Sequence, residues 1–284
     1  MTRPSPLAGR RVARMNGAGN KILVLDLRGA ATLPTPAEAR AIRRAPGLDY
    51  DQMMLLTEPR TPGTLAYVVI YNNDGSLAGA CGNGTRCVAD RLAHETGADR
   101  LTVETERGLI LCERLGGSSY RVDMGPPRLD WSEIPTSRAV DTVAADIPEA
   151  SGFGAAGLVN MGNPHAVFFV PDVAAVALES AGPALERNSL FPHKANISFA
   201  QVLAPGRIRL RVWERGVGAT LACGSAACAT LVAAHRRGLA GREAAIELPG
   251  GELTILWRES DGHVLMAGAV EFEREIELTA SIFA

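Results

Sequence analysis

Two cysteines carry the chemistry that this sequence suggests first. Each follows a glycine-containing bend and opens a Cys-Gly step: Ala80-Cys81-Gly82-Asn83-Gly84 in one half and Ala222-Cys223-Gly224-Ser225 in the other. They lie 142 residues apart, half of a 284-residue chain. A thiol at a helix start feels the positive end of the macrodipole and unpaired backbone N–H groups, so both pKa values are expected to fall from ~8.5 toward neutrality. The same N–H groups, from Gly82, Asn83, Gly224 and Ser225, suit a carboxylate. A thiolate on one face of a carbon and a thiol on the other can remove a proton and return one with inversion, then exchange roles for the reverse reaction. A carbanion beside a carboxylate also needs preorganised donors in a dry site, which two helix ends can supply. This chemistry implies neither a cofactor nor a metal. Cys81 to Cys87 and Cys223 to Cys228 lack zinc-ligand spacing, and Gly82-Asn83-Gly84-Thr85 lacks the lysine of a phosphate loop. Cys87, Cys112 and Cys228 read as small buried hydrophobes.

Elements that hold two such cysteines alike must themselves be repeated, and the chain repeats at a constant offset. Gly19-Asn20 returns as Gly162-Asn163 and Gly108 as Gly251, each 143 residues on, and Tyr120–Gly125 answers His263–Gly268. Alternating apolar residues predict strands over 65–70 and 208–213 ahead of the cysteines. Alanine- and leucine-rich stretches predict helices over Thr85–Glu95 and Ala226–Arg237, stopped by Gly97 and Gly238. Gly125-Pro126-Pro127 suits a linker, and the tail after Glu271 alternates like a strand that returns to the first half. The expectation is an α/β (α+β) protein of two similar pseudo-symmetric domains, residues 1–126 plus 272–284 and residues 127–271.

Composition narrows the function classes. A hydrophobic share of 46% with 21% charged residues is that of a globular protein able to bury a core, not of a disordered chain. A net charge of -2 without a basic run makes nucleic acid a poor partner. No apolar stretch approaches the ~20 residues that span a bilayer, and the polar N-terminus carries no export signal, so no membrane is expected. Five cysteines, an odd and sparse set, point to a reducing compartment, the cytoplasm. A homodimer is the quaternary state expected of such an enzyme.

With these residues in view, the chain resembles the diaminopimelate epimerase family over almost its whole length. The likeness rests on Met15-Asn16-Gly17-Ala18-Gly19-Asn20, on Asn72-Asn73-Asp74-Gly75-Ser76 followed by Cys81-Gly82-Asn83-Gly84-Thr85-Arg86-Cys87, on Asn160-Met161-Gly162-Asn163-Pro164-His165, and on Glu214-Arg215-Gly216 followed by Ala222-Cys223-Gly224-Ser225. It implies two domains, each a mixed sheet curled around a central helix, with the substrate in the cleft between them. It also implies cofactor-independent interconversion of LL- and meso-2,6-diaminopimelate, a small amino-acid substrate on the route to lysine and peptidoglycan precursors. Carried over by position, Cys81 and Cys223 would be catalytic, joined by His165 and Glu214. Asn72, Asn163, Asn196, Glu214 and Arg215 would hold the non-reacting amino-acid end, Asn20 and Gln52 would complete the pocket, and Gly82-Asn83 with Gly224-Ser225 would hold the reacting carboxylate. Recognition of a remote ammonium and carboxylate calls for an acceptor such as Glu214 and a fork donor such as Arg215. Their place nine residues before Cys223, like that of Asn72 before Cys81, sets them apart from an ordinary surface ion pair. His165 keeps two readings, an aid that orients a cysteine or a neutral hydrogen-bonded histidine. Asn16, Lys21, Ala219 and Ala226 depart from the commonest family pattern, and Lys21 and Ala219 leave contacts around the cleft open.

Two rivals stand beside this reading. A proline racemase-like enzyme would also use two cysteines but would give Glu214 and Arg215 no second amino-acid group to bind. A ligand-binding or thiol-sensing protein would pair the cysteines as a disulfide and change state with redox.

Overall fold

The computed structural model describes residues 5–30 and 32–284. The chain divides into two compact units, one running to Val122 and resuming at Gly268, the other spanning Asp123–Ala267. The sequence reading placed these changeovers at 126/127 and 271/272.

The first unit contains β1 (Arg11–Gly17), β2 (Asn20–Asp26), α1 (Pro36–Arg44), β3 (Gln52–Thr57), β4 (Tyr67–Asn72), β5 (Leu77–Ala78), α2 (Gly82–Thr96), β6 (Arg100–Thr105), β7 (Gly108–Gly116) and β8 (Ser119–Asp123). The second contains β9 (Ala156–Asn160), β10 (Pro164–Phe169), α3 (Leu178–Glu186), β11 (Asn196–Ala204), β12 (Arg207–Glu214), β13 (Gly218–Thr220), α4 (Gly224–Arg236), β14 (Glu243–Leu248), β15 (Gly251–Trp257) and β16 (Val264–Ala269). Strand pairing follows one pattern in both. β1–β2 and β9–β10 are antiparallel, β2–β3 and β10–β11 parallel, and β3–β4 and β11–β12 antiparallel. A short hairpin strand follows, then the parallel steps β4–β6 and β12–β14 and two antiparallel neighbours. The last strand, β17 (Glu271–Glu277), pairs antiparallel with β1 and so extends the first unit's sheet.

Each mixed sheet has a helix on either face, which is why its inner strands read as nearly unbroken apolar runs rather than as alternation. In β2 and β3, Leu23, Leu25, Met53 and Leu55 pack with Ile42 of α1, while Met54 faces Gly84 of α2. The sheets curl around α2 and α4. Apart from Arg91, α2 is buried from Asn83 to Ala93, and α4 is buried throughout Ala226–Ala234. An alanine-rich helix with no polar face can be enclosed in this way, and its small side chains let strands come close. A Cβ on Gly157 of β9 would stand 2.8 Å from the Ala233 methyl.

Both central helices begin earlier than Thr85 and Ala226. Gly82-Asn83-Gly84 and Gly224-Ser225 have weak helix propensity and read as loop, yet a first turn held by its cap tolerates them. The ends match the expected stops: Gly97 is left-handed at φ 73°, and Gly238 at φ 69° follows Arg237. Among the described residues, no helix is long and apolar enough to cross a membrane.

Candidate active site

In the first unit, Cys81 is itself the N-cap of α2, in extended backbone at φ -151° and ψ 99°. Its sulfur accepts a hydrogen bond from the Gly84 N–H at 3.1 Å, and its carbonyl accepts from the Thr85 N–H and hydroxyl, both at 2.8 Å. A Cβ at position 84 would lie 2.5 Å from the Met54 sulfur and 3.1 Å from the Cys81 sulfur, so a larger residue there would have to displace Met54. The β1–β2 turn packs on this helix start, and a Cβ on Gly17 would meet the Asn83 carbonyl at 3.1 Å. Asn20 opens β2 directly opposite Gly17. Asn16 closes the turn by accepting from the Gly19 N–H at 2.8 Å. The side chain of Lys21 instead joins Asp49 at 2.6 Å in a half-exposed ion pair. Asn83 is buried, with its side-chain oxygen unpartnered.

Gln52 and Asn72 face each other across β3 and β4, and the Gln52 Nε2 donates to the Asn72 Oδ1 at 3.1 Å. The Asn72 Nδ2 donates to the Ser76 hydroxyl at 3.1 Å, which donates to Asp74 at 2.6 Å. The Ser76 hydroxyl and N–H hold the Asp74 carboxyl below its ordinary range. This relay fixes which way the Asn72 amide points.

In the second unit, Cys223 is the N-cap of α4, at φ -139° and ψ 108°, without a side-chain cap hydrogen bond. Its sulfur lies 3.5 Å from the Ser225 hydroxyl. The Asn163 Nδ2 donates to that hydroxyl at 3.3 Å, and the His165 Nε2 stands 3.0 Å from the Asn163 Oδ1. Since Asn163 turns its oxygen to the imidazole, the neutral ring carries its proton on Nε2. His165 is fully buried, and burial, with the Arg215 charge adding to it, pushes its pKa down to about 3. It is therefore a neutral, hydrogen-bonded histidine that orients Asn163, two links from Cys223. Glu214 accepts from the Thr220 hydroxyl at 2.6 Å, and its charge acts on Cys223. Asn196 donates to the Pro164 carbonyl and accepts from the Arg215 N–H, both at 3.0 Å, so it fixes the backbone beneath Arg215. The exposed Arg215 side chain reaches the His193 carbonyl at 3.3 Å.

For Cys223 the sequence expectation of a lowered pKa is corrected. Burial raises Cys223 well above the ordinary thiol range, the Glu214 carboxylate adds to the rise, and the Ser225 and Ala226 donors only partly oppose it. A helix N-terminus does not outweigh desolvation plus a like charge. Burial also pushes up Cys87 and takes Cys112 to about 12, as fits packing residues. None of the five cysteines is in a disulfide.

Sequence reasoning missed four supporting residues. Asp74 and Ser76 sit in a quoted motif, and their spacing is that of a side-chain-closed turn. Thr220 and Glu186 give no local signal. The partners of Glu186, Trp213 and Gly216, are 27 and 30 residues away in sequence.

The model of the diaminopimelate epimerase family matches residues 12–129 and 157–273, one segment per repeat, with Cys81 in the first and Cys223 in the second. Among similar proteins, the diaminopimelate epimerase of Methylocella silvestris is 54% identical over 289 residues, covering 99% of this chain and 98% of that one. The diaminopimelate epimerase of Afipia carboxidovorans is 50% identical over 284 residues, covering 98% of each. Among solved structures, a predicted epimerase from Pseudomonas aeruginosa aligns with a TM-score of 0.70 over 95% of this chain and 99% of that one. At 20% identity that likeness speaks for the fold.

Proposed function

The chain belongs to the diaminopimelate epimerase family, and from that membership we propose that it interconverts LL- and meso-2,6-diaminopimelate with two cysteines, one removing the α-proton and the other supplying a proton to the opposite face. It is an isomerase acting on a small amino-acid substrate. The observation that carries the proposed mechanism is the duplication itself: in each repeat a cysteine caps the central helix, followed by backbone N–H groups in its first turn.

In one direction a thiolate takes the α-proton and becomes a thiol, the electron pair passes into the carboxylate as an enediolate, and the other thiol gives its proton to the opposite face and becomes the thiolate. The N–H groups of Gly82, Asn83, Gly224 and Ser225 receive the carboxylate charge as it grows. Glu214, Arg215, Asn72, Asn163 and Asn196 serve the non-reacting amino-acid end, and Asn20 and Gln52 the remainder of the pocket. Glu214 accepts from an ammonium and Arg215 forks a carboxylate. His165 acts by holding Asn163 and, through it, Ser225 against Cys223. The protein works as a homodimer in the cytoplasm, a compartment that keeps its thiols reduced.

The test is incubation of reduced protein with LL-diaminopimelate in deuterated water, with proline as comparator and Cys81→Ala and Cys223→Ala alongside. Wild type should form the meso isomer with α-deuterium, and each variant should lose inversion by about 1,000-fold or more. Inversion surviving in either variant would overturn the two-cysteine mechanism, and turnover of proline instead would overturn the substrate.

A further inference from the structure

Glu186 ends α3, is 6% exposed, and plays no part in the chemistry above. Its Oε2 accepts from the Trp213 indole N–H at 3.0 Å, and its Oε1 accepts from the Gly216 backbone N–H at 2.9 Å. Lys194, itself in left-handed backbone at φ 60°, brings its ammonium to Oε1 at 3.5 Å. Burial alone would raise the Glu186 pKa, but the bonds from Trp213, Gly216 and Lys194 outweigh it and hold the carboxyl below its ordinary range. The group is therefore an anion at neutral pH.

Trp213 and Gly216 flank Glu214 and Arg215 on either side, so this one carboxylate clamps both ends of the segment that bears them. A second tie runs alongside, because the backbone carbonyl of Glu186 accepts from the Ala195 N–H at 3.4 Å and Asn196 accepts from the Arg215 N–H. The indole is seated by Gly182 of the same helix, where a Cβ would come within 2.5 Å of the ring. Within the hairpin the Val217 N–H donates to the Glu214 carbonyl at 3.1 Å and the Thr220 hydroxyl to the Glu214 carboxylate at 2.6 Å. Arg215, Gly216 and Val217 are exposed, and Gly216 and Gly218 adopt φ of 76° and 112°. A tip with two glycines in positive φ has wide backbone freedom, and recognition of a remote charged group fails when its donor is misplaced by about an ångström.

We propose that Glu186 is a specificity-determining positioning residue, which holds the Glu214-Arg215 pair in register for the non-reacting end of the substrate while touching neither substrate nor cysteine. This rests on the reading that Glu214 and Arg215 bind that end. Replacing Glu186 by Gln keeps shape but leaves one oxygen for two N–H donors, so an indole or a backbone N–H goes unsatisfied.

The experiment compares diaminopimelate with 2-aminoheptanoate, which lacks the far amino-acid group, using KM and kcat for the first and the inhibition constant for the second. Glu186→Gln should raise KM for diaminopimelate about tenfold, leave kcat within about threefold, and leave the inhibition constant of 2-aminoheptanoate unchanged. Trp213→Phe removes the competing indole donor, so Glu186→Gln combined with Trp213→Phe should recover most of the lost KM relative to Glu186→Gln alone. An equal fall of kcat and kcat/KM with both KM and the inhibition constant unmoved, or no recovery in the double variant, would overturn the assignment. If Glu186→Gln does not fold, a Trp213→Phe protein in which Lys194→Met leaves KM unchanged would overturn it as well. The underlying reading fails separately: wild type would then bind 2-aminoheptanoate as tightly as diaminopimelate.

Discussion

The two cysteine-bearing helix starts share their backbone, their place in the sheet order and their capping role, yet they surround sulfur differently. Cys81 is part-exposed and takes an N–H from Gly84 at 3.1 Å, a contact that a thiolate accepts more strongly than a thiol. Cys223 is 6% exposed, has no cap hydrogen bond, and faces the Glu214 charge. At the place of Gly84 the second unit has Ala226, fully buried, where a methyl fits. In the first unit the Met54 sulfur occupies that space. Duplication has thus copied the thiol without copying its surroundings, which are set by side chains outside the Cys-Gly motif. In the substrate-free protein Cys223 holds its proton.

The sharpest way to break this comparison is alkylation. With iodoacetamide at pH 7, Cys81 should react about 100-fold faster than Cys223, since Cys223 is buried and its pKa is raised while Cys81 is part-exposed. Peptide mass mapping over time measures the ratio, and equal rates would remove the asymmetry. The buried histidine beside Cys223 sharpens the comparison through stability. A group whose folded pKa is depressed to about 3 contributes stability that is present above the unfolded value near 6.5 and is lost as pH falls toward 3, because the unfolded chain binds the proton first. Between pH 6.5 and 5 this amounts to about 2 kcal/mol, and urea unfolding of wild type against His165→Gln should show the steeper acid loss in wild type. Identical pH slopes would mean that His165 is not held neutral. The smallest effect concerns Glu214. Glu214→Gln removes the like charge and should speed alkylation of Cys223 about fivefold while leaving Cys81 unchanged. A rate for Cys223 that stays put would assign its raised pKa to burial alone.

Much of this molecule was legible in the residues. The repeat at a constant offset, the helix after each cysteine and the glycine stops are local signals, and the pairing of Gln52 with Asn72 follows once β3 and β4 are recognised as neighbours. Hydrogen bonds that jump along the chain were not legible. Nothing about Glu186 announces that it will meet Trp213 and Gly216, and nothing about Lys21 says that it turns to Asp49 rather than toward the site. The same limit explains the helix starts, where weak formers such as Gly82 and Gly84 are drafted into a first turn by a cap and by packing.

By itself the sequence determined the duplication, the identity of the two thiols and the donors that follow them, because a helix start and its N–H groups are fixed by a few adjacent residues. Only the tertiary structure decided what Cys223 is worth as acid or base. A pKa depends on burial and on charges that the fold brings near, and Glu214, nine residues before Cys223 in the chain, acts on it because the fold brings its carboxylate close to the sulfur.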